Sequence, residues 1–206
     1  MKYFLDFGTN YFQGLREFSA KLGIDSSWNV KCYEADPYIF SKALLLSDEL
    51  KLRDLYSSFS FSNLAISDAD DQNLIINCIT AFGFDSASFS PGDFGGSSTV
   101  QRTDDIFTKN SLYRTAIVRS IDVNGILNEI VRNDSDAEIY IKCDTEGAEF
   151  IIIPRLLCSK NLRSVKHIFV EWHARFWKDS EDQQLIKQNW LIQGLLLNGV
   201  HHDSHY

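Results

Sequence analysis

Polar residues and a glycine stand where two predicted strands of the N-terminal region end. Asp6 and Gly8 close an apolar strand at residues 3–7, and the chain then turns directly into a predicted helix. A glycine lets a ligand approach the backbone closely, and a helix N-terminus offers free N–H groups. Glu34 ends the next strand, where a carboxylate can bind both ribose hydroxyls of an adenosine. The spacing from Gly8 to Glu34 is typical of a nucleoside-binding β-α-β unit.

Residues 8–14, which read GTNYFQG, indicate which kind of adenosine ligand the turn accepts. A dinucleotide site needs glycines in the order G-x-G-x-x-G to clear a pyrophosphate. Phe12 stands where a glycine would be needed, so the run favours a smaller ligand. Tyr38 and Lys42 have the spacing of the reductase Tyr/Lys pair, but they follow the second strand, too early for that role. A nicotinamide-dependent oxidoreductase or epimerase is therefore the less favoured alternative, beside a non-catalytic cofactor-binding module.

A second group of polar residues follows two predicted strands of the C-terminal half. Asp144 comes after the strand at 138–143, while Glu171 and His173 lie at the end of the strand at 165–172. Ligands of doubly wound sheets lie outside the carboxyl ends of the strands, so these groups converge beside the cofactor if the strands are neighbours. His173 is the predicted general base, since histidine titrates at ~6.5, with Asp144 or Glu171 to orient it or replace it.

The same three side chains, Asp144, Glu171 and His173, offer two oxygens and one nitrogen to a divalent cation. Metal assistance would lower the pKa of a bound hydroxyl directly, so this route stays open beside general-base catalysis. Glu149 is interpreted as a first-turn carboxylate favoured by the helix dipole. For Glu146 the helix-dipole and functional interpretations are left open.

Strand and helix patterns alternate along the chain, which predicts an α/β fold with a mostly parallel central sheet flanked by helices. The predicted strands are 3–7, 30–33, 59–66, 73–80, 116–121, 138–143 and 165–172, with one more possible at 200–206. The predicted helices run from Asn10 to about 22, from Asp36-Pro37 onward, and over 122–131, 148–157 and 181–197. Residues 82–105, rich in Gly, Ser and Asp, are either a lid over the site or an irregular loop.

Length and charge restrict the function classes. The 206 residues suit a single domain spanning 1–206, and the net charge of -8 with scattered basic residues argues against nucleic-acid binding and for a neutral or small substrate. No apolar run approaches the ~20 residues that a membrane span requires, and the first residues lack a signal-peptide core. We therefore expect a cytoplasmic protein without membrane contact.

The chain resembles the FkbM-type methyltransferases, a family of class I S-adenosylmethionine enzymes with a Rossmann-like fold. The resemblance rests on segments in family order across nearly the whole chain: 4–10 (FLDFGTN), 33–37 (YEADP), 63–68 (NLAISD), 120–122 (SID), 142–149 (KCDTEGAE) and 170–173 (VEWH). The D-x-E-G-x-E element is quite specific, whereas the glycine turn alone is not.

The resemblance implies S-adenosylmethionine as the cofactor, with a divalent cation left open. It implies that Gly8 and Asn10 line the methionine end, that Glu34 holds the ribose, and that Ser67 and Asp68 lie near the adenine. The expected cofactor site also includes Asp6 and Ala35. Family members mostly methylate oxygen, so we expect a hydroxyl of a sugar, glycan or glycosylated small molecule as acceptor, and a chain that can be fused to other glycan-processing domains.

Two departures from the family pattern stand out. The family commonly has a glycine near Phe12, so the loop around the sulfonium is expected to differ in shape here. The final strand of the usual seven is shortened or absent, which fits either a minimal member or one domain of a longer polypeptide.

Overall fold

The computed structural model describes residues 1–79, 97–99, 113–176 and 180–204. Its strands are β1 (Lys2–Phe7), β2 (Trp28–Tyr33), β3 (Ser58–Ser62), β4 (Ala65–Ser67), β5 (Asn73–Ile79), β6 (Tyr113–Asp122), β7 (Glu138–Cys143), β8 (Val165–Val170) and β9 (His201–Ser204). Its helices are α1 (Gln13–Leu22), α2 (Pro37–Glu49), α3 (Leu52–Leu55), α4 (Val123–Asn133), α5 (Glu149–Leu157) and α6 (Glu181–Leu197), with short 3-10 turns at Leu162–Ser164 and Ala174–Phe176. The predicted alternation of strands and helices is confirmed.

The main sheet has the strand order β3-β2-β1-β7-β8-β9, and all its neighbouring strands are parallel. The chain winds outward from β1 to β3 on one side and continues at β7 on the other, so the winding direction reverses between β1 and β7. Ligands of such sheets bind at this switch point, outside the carboxyl ends of the strands. The predicted α/β, Rossmann-like architecture is therefore confirmed. Among the described helices, none has the length and apolar content needed to cross a membrane.

Apolar side chains alternate along β1 and cover both faces of the sheet. Leu5 belongs to a core cluster with residues of α4, α5 and α6, such as Leu127 and Ile153. Phe4 points to the opposite face, where it packs with residues of α1 such as Phe18. Each fully buried side chain of this size stabilises the fold by roughly 1.5–3 kcal/mol. Because both faces are covered, the carboxyl ends of the strands are the natural place for a ligand.

The predicted single strand at 59–66 is wrong. It divides into β3, which pairs with β2, and β4, which joins a smaller sheet of order β4-β6-β5. The break lies at Asn63, whose side-chain amide donates to the carbonyl oxygens of Glu34 at 2.8 Å and Ala35 at 3.0 Å. Asn63 therefore ties the turn to the end of β2 and directs the chain into the second sheet.

The predicted helix start at Asn10 is also wrong, because α1 begins at Gln13. Asn10 and Phe12 both adopt left-handed backbone angles, with φ of 51° and 63°, and Phe12 occupies the cap position without a side-chain hydrogen bond. The Phe12 ring is buried and lies 4.9 Å from that of Phe61. A packed aromatic ring thus holds this turn. The predicted cap at Asp36 is confirmed, since its carboxylate accepts from two N–H groups of α2.

Candidate active site

A cleft opens at the carboxyl ends of β1, β2 and β7, which is where the ligands of such sheets bind. Five of the predicted site residues line it: Gly8, Asn10, Glu34, Ala35 and Asp144. Of these, Gly8, Glu34 and Asp144 were predicted from their positions at strand ends, and Asn10 and Ala35 from the cofactor site that the family resemblance implies.

Gly8 is required by the contact between the turns that follow β1 and β7. Its φ is +76°, and a Cβ atom there would lie 1.8 Å from the carbonyl oxygen of Asp144. The glycine was predicted to let a ligand approach the backbone. In the structure its first role is to let two backbone segments meet at the switch point, which brings the turn after β1 against the turn that carries Asp144.

Glu34 is buried at the wall of the cleft and is held by two backbone N–H groups. Its Oε2 accepts from Asn10 N at 2.8 Å, and its Oε1 accepts from Asp36 N at 2.8 Å. Burial raises the pKa of Glu34 to about 7, against the opposing effect of these two hydrogen bonds. A carboxylate has about four acceptor positions, so two remain for hydroxyl donors of a ligand.

Asp6 lies behind the cleft and does not line it. It is fully buried, and its Oδ1 is 3.4 Å from the ammonium of Lys142, which also donates to the carbonyl oxygen of Gly8 at 2.6 Å. Burial raises the pKa of Asp6, and Lys142 opposes that rise. The role of Lys142 was missed in the sequence. The available signal was a lysine inside an apolar strand, because lysine is almost never fully buried unless it is paired.

Ser67 and Asp68, predicted to lie near an adenine, do not line the cleft. Ser67 is buried and its hydroxyl donates to the carboxylate of Asp68 at 3.2 Å, while Asp68 is exposed. The residues just before them, Leu64, Ala65 and Ile66, form an apolar wall of the cleft instead. That wall suits the flat face of a base.

The second group of predicted residues converges on one imidazole nitrogen. His173 Nε2 lies 3.3 Å from Glu171 Oε1, 3.4 Å from Glu146 Oε2 and 3.9 Å from Asp144 Oδ1. The convergence of Asp144, Glu171 and His173 follows from the pairing of β7 with β8. Asp144 and Glu146 line the cleft, whereas His173 is fully buried and lies behind them. Glu146, whose role the sequence left open, thus joins Asp144, Glu171 and His173 in a group that we call the acidic cluster.

Glu149 holds the other side of the imidazole. It is fully buried at the start of α5, and its Oε1 lies 3.0 Å from His173 Nδ1. The same carboxylate accepts from the N–H groups of Thr145 at 2.9 Å and Gly147 at 3.0 Å. Burial lowers the pKa of His173, but Glu149 and the neighbouring carboxylates outweigh it and raise that pKa to about 10. Glu149 therefore orients His173 in addition to its place in the first helical turn.

One set of donor atoms in the described residues has the compactness of a cation site. Single donor atoms of Asp144, Glu146 and His173 lie within 4.8 Å of one another. Glu171, predicted as a ligand, is outside this set, and its carboxylate lies 3.7 Å from the guanidinium of Arg175. The compact set therefore differs from the predicted one by Glu146 in place of Glu171.

Residues 97–99 are the described part of the stretch predicted as a lid at 82–105, and the remainder of that prediction lies outside the described residues. Ser97 donates to the carboxylate of Asp36 at 2.9 Å, and Ser98 donates to the carbonyl oxygen of Glu146 at 2.5 Å. Ser97 and Thr99 line the cleft. This short segment therefore contacts both sides of the cleft: Asp36 at the start of α2 on one side and the backbone of Glu146 on the other.

The fold and the site define an α/β protein with its cleft at the switch point and an acidic residue at the end of the second strand. The family model described as Methyltransferase FkbM domain matches residues 7–192. The chain therefore belongs to the FkbM methyltransferase domain family and is a methyltransferase, which confirms the resemblance seen in its motifs. No curated protein and no solved structure matches the chain.

Proposed function

We propose that this protein is an S-adenosylmethionine-dependent O-methyltransferase that acts on a hydroxyl of a sugar, a glycan or a glycosylated small molecule. The observation that carries the proposal is that Glu34, Gly8 and Asp144 line one cleft, in which Gly8 lies against the backbone of Asp144. Glu34 offers a carboxylate to a ribose, and Asp144 and Glu146 offer carboxylates to an acceptor.

The residues present fit this cofactor. Two acceptor positions of the Glu34 carboxylate remain for the ribose hydroxyls, since its other two are taken by Asn10 N and Asp36 N. The apolar wall at Leu64, Ala65 and Ile66 suits the adenine ring. Gly8 and Asn10, at the end of β1, are proposed to line the methionine end. Asp6 supports this turn from behind through Lys142.

S-adenosylmethionine, when bound, supplies a methyl carbon activated by a sulfonium. The protein then has to place the acceptor and to receive its proton. Asp144 and Glu146 line the cleft, so their carboxylates are the nearest groups to an acceptor hydroxyl. The catalytic contributions predicted for His173 and Glu171 are proposed to act through this carboxylate pair, because both lie next to it and neither lines the cleft.

The acidic cluster favours oxygen over nitrogen as the acceptor atom. Nearby carboxylates stabilise the protonated form of an amine, which has no lone pair for attack. A hydroxyl gains from the same carboxylates, because they accept its hydrogen bond and its proton. The cluster also repels phosphate groups, so a neutral acceptor such as a sugar hydroxyl fits best.

Methyl transfer from radiolabelled S-adenosylmethionine to a panel of sugars, glycosides and amines tests the proposal. We expect transfer to hydroxylated acceptors, and a fall in turnover of at least about 100-fold for Asp144→Asn. Asp48→Asn, at an exposed position on α2, is the control and should keep full turnover. Transfer to amines only, or full turnover by Asp144→Asn, would contradict the proposal.

A further inference from the structure

We propose that Asp144, Glu146 and His173 bind one divalent cation of the Mg²⁺ or Mn²⁺ kind at the edge of the cleft. Such a cation would take part in the proposed O-methyltransferase reaction, and only this catalytic role rests on the proposed function. Cation binding itself is a property of the protein alone and is argued from the geometry of these three side chains.

The distances between the donor atoms suit a shared ion. Two ligands that each lie ~2.1 Å from one metal ion are about 3.0 Å apart when adjacent and about 4.2 Å apart when opposite. The distances from His173 Nε2 are 3.4 Å to Glu146 Oε2 and 3.9 Å to Asp144 Oδ1. Both values fall within that interval, and all three donor atoms lie within 4.8 Å of one another, so side-chain shifts would let one ion contact all three.

Two of these donor atoms are buried without a hydrogen bond in the described structure. Neither His173 Nε2 nor Asp144 Oδ1 has a hydrogen-bond partner among the described residues, although Nε2 lies within 4 Å of three carboxylates, and His173 is fully buried. A buried polar atom without a partner costs about 1–3 kcal/mol, so such atoms call for an explanation. The two orphaned atoms face each other across 3.9 Å. A bound cation would satisfy both at once.

The remaining atoms of the same side chains are held in place by other residues. Glu149 Oε1 lies 3.0 Å from His173 Nδ1 and holds a proton there, so a cation that binds at Nε2 has to displace only the Nε2 proton of the charged imidazole. Lys142 Nζ lies 3.2 Å from Asp144 Oδ2 and leaves Oδ1 directed at the same place. Metal-bound histidines and carboxylates commonly have such supporting partners. Glu149 and Lys142 are therefore positioning residues of the site.

Glu146 replaces Glu171 in the ligand set, because Glu171 is outside the compact group and lies near Arg175. The two carboxylate oxygens suit Mn²⁺ and Mg²⁺, which prefer oxygen ligands, and Mn²⁺ also accepts the imidazole nitrogen. A cation at this edge of the cleft lowers the pKa of a hydroxyl bound to it. A lower pKa eases the loss of the hydroxyl proton, which is the main chemical difficulty of O-methylation.

Titration of the full chain with Mn²⁺ alone, by calorimetry and by electron paramagnetic resonance, tests the site. We expect one saturable Mn²⁺ ion per chain and competition by Mg²⁺. Glu146→Gln should weaken Mn²⁺ binding by at least about tenfold. Glu171→Gln is the matched control, because it removes a carboxylate equally near His173 but outside the compact group, and it should change binding less than about threefold.

No saturable Mn²⁺ binding by the native chain would overturn the site. Equal losses for Glu146→Gln and Glu171→Gln would also overturn it, because they would show diffuse attraction to negative charge. Thermal unfolding of each variant confirms that it is folded before titration. S-adenosylhomocysteine binding is measured on the same samples. If that ligand fails to bind while Mn²⁺ binds, the proposed function fails and the cation site stands.

Discussion

Alanine in place of Gly8 tests whether the turn after β1 and the turn after β7 are in direct backbone contact. The added Cβ would lie 1.8 Å from the carbonyl oxygen of Asp144, and Gly8 has a φ of +76°. Gly23 is a matched control, because its φ is +65° and nothing lies within 4 Å of a Cβ placed there. Both substitutions place an alanine in the left-handed conformation and lose the corresponding free energy, and only Gly8→Ala adds a steric clash.

The expected magnitudes follow from these two terms. A left-handed conformation costs a non-glycine residue about 1–2 kcal/mol, which is the whole expected effect of Gly23→Ala. Overpacking against a rigid backbone atom adds about 1–3 kcal/mol, so Gly8→Ala should destabilise the fold by about 2–5 kcal/mol. For a chain of this size, each kcal/mol lowers Tm by about 2–4 °C.

Urea unfolding followed by circular dichroism measures both variants against the native chain. We expect the midpoint for Gly8→Ala to fall below that for Gly23→Ala, with unchanged m-values. Equal destabilisation by the two variants would refute the close contact between the two turns. S-adenosylhomocysteine binding by folded Gly8→Ala protein should also weaken, since the clash displaces the turn that carries Asp144.

Three further predictions concern buried charges. Lys142→Met should destabilise the fold by about 3–5 kcal/mol in urea unfolding, because it leaves the buried carboxylate of Asp6 unpaired. Adding Asp6→Asn to this variant should restore part of the lost stability. If the free-energy losses of the two single variants simply add in the double variant, the pairing of Asp6 with Lys142 is contradicted. Glu149→Ala should cost about 3–5 kcal/mol, since the N–H groups of Thr145 and Gly147 and the imidazole of His173 lose their acceptor. A measured loss below about 1 kcal/mol would contradict this role. The affinity for S-adenosylhomocysteine should rise as the pH rises through about 7, because only the ionised carboxylate of Glu34 accepts from two ribose hydroxyls. Calorimetry should show no such pH dependence of the affinity for Glu34→Gln.

The elements that sequence predicts well are those with local causes. The bounds of β7 and α6 agree with their predicted ranges of 138–143 and 181–197. Both have a clear apolar pattern between polar ends. The cap at Asp36 and the left-handed stop at Gly23 likewise depend on a few neighbouring residues.

The wrong predictions depend on distant contacts. The strand at 59–66 has a continuous apolar pattern, and only the different partners of β3 and β4 reveal the break at Asn63. Asn10 has the right residue type for a helix cap, but its N–H group donates to Glu34 and its φ is positive. Neither the sheet partner nor the bond from the second strand is visible in a local pattern.

In the candidate site too, features with local causes are predictable from the sequence and features that depend on distant contacts are not. Strand-end polar residues such as Glu34 and Asp144 are predictable, because topology sends every parallel strand end to one edge. The supporting contacts are not predictable, since Glu149 meets His173 across 24 residues of sequence and Lys142 meets Gly8 across 134. Glu146 and Glu171 are the same residue type, and only the distances between side-chain atoms place Glu146 inside the compact set of donor atoms and Glu171 outside it.

Calorimetric titration of the native chain with S-adenosylhomocysteine, with NAD as the competing ligand, tests the central claim most directly. We expect saturable binding of one S-adenosylhomocysteine per chain, a marked loss of affinity for Glu34→Gln, and no saturable binding of NAD. Saturable binding of NAD without binding of S-adenosylhomocysteine would contradict the assignment of the cleft between Glu34 and Asp144 to the methyl donor.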